Sequence, residues 1–143
     1  MIYTASYSDC KTKEYPLVSI DPRLISLSNL GFYSALMPRL EELNKWRKKS
    51  DNEVLKEFYF NFLRELDLEK TRKDLENCII IGKEQFYESS IRHVLASYLE
   101  LQFNIEVPEV QVKNDKIEKL YRPDYIKEDL KKLIYQTEGI LYE

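Results

Sequence analysis

Two periodicities alternate along the chain. Ile2-Tyr3-Thr4-Ala5-Ser6-Tyr7 is β-branched and aromatic and predicts a buried first strand. The polar Ser8-Asp9-Cys10-Lys11 predicts a turn after it, and Tyr15 to Ile20 predicts a second short strand closed by Asp21-Pro22. Residues 23–35, interrupted by Ser, Asn and Gly, predict no regular element. The pattern then turns helical. Leu36, Leu40, Leu43 and Trp46 share one face, with Pro38 suited to the first turn. Ser50-Asp51-Asn52-Glu53 matches a capping box, and Val54, Leu55, Phe58, Tyr59, Phe62, Leu63 and Leu66 continue as one apolar stripe. Asp67 predicts the start of a short helix through Leu75.

Cys78-Ile79-Ile80-Ile81 is an unbroken apolar run stopped at Gly82, the pattern of a central parallel strand covered on both faces. Ser89 or Ser90 can cap a helix whose apolar face holds Ile91, Val94, Leu95, Tyr98 and Leu99. Ile105-Glu106-Val107 predicts another strand before Pro108, and Gln111 to Tyr121 reads as a charged connection. Asp124 can cap a last helix with Ile126, Leu130, Leu133 and Ile134 on one face. Strands alternating with helices predict an α/β fold, here a small three-layer domain with a mostly parallel central sheet and flanking helices. Residues 1–112 would form the main body, and 113–143 a connection and helix packing on it. The alternative for that helix is a role in partner binding.

The 143 residues suit one domain with a single core. Hydrophobic residues make up 43% and charged residues 33%, which argues against disorder. A net charge of −3 supplies no overall field for a polyphosphate, so nucleic-acid binding would need a local patch and is not favoured. The basic run Lys45, Arg47, Lys48 and Lys49 reads as complementing a helix dipole. Cys10 and Cys78 have neither disulfide nor metal-site spacing, and no metal ligand set is expected. Met1 leads into a polar, aromatic start, and no apolar stretch approaches bilayer length. A cytoplasmic protein without membrane contact is the expectation.

In such a sheet, ligands collect beyond the carboxyl ends of the strands. Two segments end there. Ser6, Ser8, Asp9 and Lys11 leave the first strand; Glu84, Ser90, Arg92 and His93 follow the central one. Helix amides beside Ser90 and Arg92 could hold a phosphate, although a loop with one glycine matches no dinucleotide or P-loop pattern. His93 is the only histidine, so imidazole acid–base chemistry would have to use it, with Glu84 as the base. Counting 100° per residue places His93 opposite the apolar face, where a solvated side chain is expected. Cys10 would be a nucleophile only with a nearby base or positive field.

Three pieces of the chain resemble the domain-of-unknown-function family 488. These are Met1 to Tyr7 with Pro16 to Ile20, the stretch from Tyr33 through Trp46 to Asp67, and Ile79-Ile80-Ile81-Gly82 leading to Arg92-His93-Val94-Leu95. The last is similar to a segment in which a strand ends in Cys-x-Glu, followed by Cys-His-Arg-His or Cys-His-Arg and an aliphatic helix. The likeness covers about residues 1–104 and implies a compact α/β fold with a site where the Cys, Glu and His positions meet. Glu84 stands at the motif glutamate, and Arg92 and His93 at the Arg-His pair. Gly82 stands where the resemblance calls for cysteine, and Ser90-Ile91 where it calls for Cys-His. The resemblance therefore implies a degenerate site.

The leading expectation is a binding module for a nucleotide-like ligand or a protein partner, of the kind carried by phages or mobile elements as an accessory protein. Ser6, Ser8, Asp9, Lys11, Ser90 and Arg92 would form its ligand site. One rival is an enzyme acting on a nucleotide or nucleic acid with Glu84 and His93 as its acid–base pair. The other is an inhibitory or scaffold protein working through its last helix. No motif names a cofactor.

Overall fold

A computed structural model of the chain describes residues 1–27 and 29–143. Among the described residues the chain forms six strands in one sheet: β1 (Tyr3–Ser6), β2 (Leu17–Ser19), β3 (Gly31–Phe32), β4 (Ile79–Gly82), β5 (Glu109–Lys113) and β6 (Lys116–Leu120). Their order across the sheet is β3-β2-β4-β1-β5-β6. All neighbours run parallel except the β5–β6 hairpin at one edge. β4 lies between β1 and β2 and is buried along its whole length, as its unbroken apolar run requires. Pleating sends Ile80 to one face and Ile79 with Ile81 to the other.

The α-helices gather on the Ile80 face. They are α1 (Leu40–Trp46), α2 (Asp51–Asn61), α3 (Leu68–Asp74), α4 (Ile91–Phe103) and α5 (Tyr125–Glu138). Trp46, Phe58, Tyr59, Leu95, Leu99, Leu130 and Ile134 join Ile2, Ile20 and Ile80 in one core. α5 buries Ile126, Leu130, Leu133 and Ile134 there, so its apolar stripe is already covered. The opposite face holds Ala5, Leu17, Ile79, Ile81, Val110 and Val112 under Cys10, Leu24 and Leu30. Its outer layer consists of loops and the 3-10 turn Pro22–Leu24 rather than an α-helix. Among the described residues, no helix is long and apolar enough to cross a membrane.

Local signals act where they were read. Ser50 accepts from the Glu53 amide and Asp67 from the Lys70 amide, each satisfying a helix-start donor. Several boundaries differ from the sequence expectation. Pro38 precedes α1 instead of lying in its first turn, and the long apolar stripe divides, with α2 ending at Asn61 and a 3-10 turn spanning Leu63–Glu65. Residues 105–107 are not a strand. Val107 gives its amide to Glu100 Oε2 at 2.9 Å, and pairing begins only at Glu109. The supposed connection from Gln111 to Tyr121 is most of a β-hairpin. Its turn residues, Asn114 and Asp115, both adopt positive φ (51° and 58°), the backbone that two-residue hairpin turns use.

Candidate functional site

The residues read from the sequence occupy three places. Ser90, Arg92 and His93 lie beneath the sheet on its helical face, where each is buried. The Arg92 guanidinium grips Glu109 at the start of β5, with Nε 3.2 Å from Oε1 and Nη2 2.7 Å from Oε2. Its Nη1 donates to Ser90 Oγ at 2.9 Å, so Ser90 holds Arg92 rather than capping α4. Thr4 Oγ1 donates to Glu109 Oε1 at 2.6 Å and accepts from Arg122 Nη2 at 2.8 Å. Arg92 and Glu109 thus form a solvent-free ion pair whose polar atoms are bound on several sides.

His93 is fully buried, not solvated. The helical-wheel expectation fails because α4 has no water-facing side over its first nine residues, Ile91 to Leu99, which are all buried. One side meets the apolar core and the other meets the Arg92–Glu109 pair. The ring places Nε2 3.0 Å from the Phe86 carbonyl oxygen, as a donor in the neutral tautomer, while Nδ1 has no hydrogen-bond partner. Burial, reinforced by the Arg92 and Arg122 charges, pushes the His93 pKa down to about 2 against the Phe86 hydrogen bond. Glu109 Oε1 lies 3.9 Å from Nδ1, but Arg92 already neutralises that carboxylate. At neutral pH the ring is the neutral imidazole with its one N–H given to Phe86, so it holds no imidazolium proton for general acid catalysis.

Glu84 lies elsewhere. It pairs with the Arg23 guanidinium, which also takes Asp21 Oδ2 at 2.6 Å. Burial opposes the Arg23 charge, but the hydrogen bonds it donates to Asp21 and Glu84 outweigh that cost and hold the pKa above the ordinary value. Glu84 and His93 are each engaged by other groups instead of forming an acid–base couple.

The third group follows β1. Ser8, Asp9 and Lys11 line a cleft of about 1120 Å³ on the face without α-helices, between the β1 exit and the β5–β6 turn. Tyr7, Leu17 and Val112 supply apolar walls, while Lys13 and Lys113 stand with Lys11 among the polar ones. A parallel bridge between Cys10 and Val112, with the Lys11 amide 3.2 Å from the Val112 oxygen, fixes the loop beside β5. Burial and then the Asp9 and Glu109 charges push the Cys10 thiol up to about 11, which withdraws it as a nucleophile. Ser6 is buried and does not line the cleft, but its hydroxyl lies 3.1 Å from Ser8 Oγ. Ser8 Oγ also accepts from Gln85 Nε2 at 3.3 Å, so the exits of β1 and β4 do meet, through Gln85 rather than Glu84. Among the described residues, no His, Cys, Asp or Glu group is arranged to hold a metal ion.

Sequence reasoning missed Glu109, Arg122 and Lys113. Glu109-Val110-Gln111-Val112-Lys113 does carry a strand alternation, and Asn114-Asp115 supplies the turn, so Glu109 and Lys113 had a local signal. Arg122 had none, because its role depends on reaching Thr4 across 118 positions.

Gly82 owes its identity to this packing. A Cβ there would lie 2.8 Å from Arg92 Nη1 and 3.2 Å from Ser90 Oγ. Gly82→Ala is expected to displace Arg92 and cost about 1 to 3 kcal/mol, as overpacking of a filled interior does. Urea unfolding measures the loss; unchanged stability would mean that the guanidinium can move without penalty. No family model, curated protein or solved structure matches this chain.

Proposed function

We propose that the protein is a cytoplasmic binding module for a small phosphorylated, nucleotide-like ligand held in the cleft between the β1 exit and the β5–β6 turn. The observation carrying this reading is the convergence of Lys11, Lys13 and Lys113 on one cleft with apolar walls. Three ammonium groups suit phosphate oxygens, and the half-buried Tyr7 offers an aromatic surface for a flat ring. The cleft adjoins the carboxyl ends of parallel β1 and β5, where open α/β sheets hold their ligands. Asp9 and Asp115 line it too, but Thr12 Oγ1 donates to Asp115 at 3.0 Å, leaving Asp9 for a ribose or base donor. Binding is favoured over catalysis because Glu84 and His93 are occupied separately. Under the resemblance to family 488, the place of the missing thiol at Gly82 is filled by Arg92, in keeping with a site that has lost its chemistry.

Thermal unfolding with a panel of nucleoside mono-, di- and triphosphates and dinucleotides tests the proposal. A ligand at a hundredfold excess over its Kd stabilises by about 2.7 kcal/mol, enough for a melting shift of several degrees. Lys11→Ala combined with Lys113→Ala is expected to remove that shift without changing the unliganded melting point. A panel that shifts nothing, or a shift that survives in the double variant, ends the reading.

A further inference from the structure

A second cavity, of about 330 Å³, opens beside the amino end of β5, the carboxyl end of β6 and the start of α5. Its charged lining includes Glu100, Glu106, Lys119, Arg122, Asp124 and Lys127. Most of these charges answer one another. Lys119 pairs with Glu106. Glu100 receives the Val107 amide on Oε2 and Lys127 Nζ at 3.4 Å on Oε1. Two groups are left over.

The first is Arg122. Its Nη2 is committed to Thr4 Oγ1 at 2.8 Å and to the Val107 carbonyl at 2.6 Å, which fixes the guanidinium against the sheet. Glu100 Oε1 lies 3.8 Å from its Nη1, beyond hydrogen-bond reach. Its Nε is buried without a partner. The second is Asp124, which stands at the start of α5 yet makes no capping bond, because its backbone is already helical (φ −66°, ψ −33°). Pro123 separates the two, and the inward anchoring of Arg122 keeps them from pairing.

The cavity therefore presents one fixed, under-used cationic donor and one under-used carboxylate. A ligand satisfying both carries an anionic oxygen for Arg122 Nη1 and an ammonium for Asp124. A polyanion gains little, since carboxylates from Glu100, Glu106, Glu109, Asp124 and Glu128 outnumber the cations of Lys119, Arg122 and Lys127. At about 330 Å³ the cavity lies at the small end of ligand pockets, a size that suits a compact solute. We infer that this cavity binds a zwitterionic free α-amino acid, its carboxylate on Arg122 and its ammonium on Asp124. The site is separate from the lysine cleft and does not depend on the reading given to it.

Heteronuclear NMR of the full chain, titrated with a panel of free L-amino acids, tests this. Two derivatives of each serve as probes: the N-acetyl form, which lacks the ammonium, and the primary amide, which lacks the carboxylate. Saturable shifts are expected at the backbone amides of Val107, Glu109, Arg122 and Asp124 for at least one amino acid. Either derivative should bind about tenfold more weakly or worse, the scale of one lost charge-assisted hydrogen bond. Arg122→Gln should abolish binding. Because Arg122 also braces Thr4 and Val107, Asp124→Asn at its exposed position is the variant that preserves the fold. It should weaken the free amino acid to the level of its N-acetyl derivative. The inference is overturned if no amino acid produces saturable shifts, if the derivatives bind as tightly as the parent, or if the shifts map to the lysine cleft.

Discussion

Glu109→Ala is expected to lower the free energy of unfolding by about 3 to 5 kcal/mol, the cost of breaking a buried ion pair from one side. Both side chains of the Arg92–Glu109 pair are fully buried (0% exposed), so the abandoned guanidinium would have no water to turn to. Thr4 Oγ1 would lose its acceptor at the same time. Arg92→Met should cost a comparable amount by stranding the carboxylate. The double variant Arg92→Met, Glu109→Leu should be more stable than either single one, because apolar groups of similar size remove both desolvation penalties together. Urea unfolding of the three variants and the parent gives the comparison. A Glu109→Ala loss below about 1 kcal/mol would show that water reaches the pair, contrary to its burial.

Acid is expected to destabilise the protein more steeply than exposed carboxylates alone would, with His93 responsible. The folded state holds the imidazole neutral, its pKa pushed down from 6.5 to about 2, chiefly by burial. In the unfolded chain the ring takes a proton as pH falls through 6.5. The unfolded state therefore binds more protons throughout the window between the two values. Stability contributed by the neutral ring is present above pH 6.5 and is lost progressively below it. This one group contributes a slope approaching about 1.4 kcal/mol per pH unit. His93→Gln keeps an N–H for the Phe86 carbonyl but cannot titrate. It should flatten the stability profile between about pH 6 and pH 4, even if it lowers stability at neutral pH. Parallel profiles for parent and variant would show that the ring is protonated in the folded protein.

The segments that specified themselves locally are those whose partners lie within a few residues. Ser50 and Asp67 set helix starts through amides three positions on, and the stripe of α2 needed only its own spacing. Cys78 to Ile81 announced a buried strand because a strand covered on both faces has no polar side to display. With the alternation of strands and helices, these were enough for the α/β class and its mostly parallel sheet. For the candidate site, the loop after β1 was readable, since Ser8, Asp9 and Lys11 leave a parallel strand where ligands collect.

Long-range geometry decided the rest. A single-helix wheel cannot register a second layer of buried polar partners, so His93 looked solvated although Arg92 and Glu109 close over that side of α4. Glu84 looked available until the fold brought Arg23 to it from 61 positions away. Arg122 acquired a function only when the hairpin carried it back to Thr4. Hydrophobic period and capping chemistry are properties of neighbouring residues, and the chain alone determined them. Which charges meet, and whether water reaches them, depends on contacts that loop closure creates, and only the tertiary structure settled those.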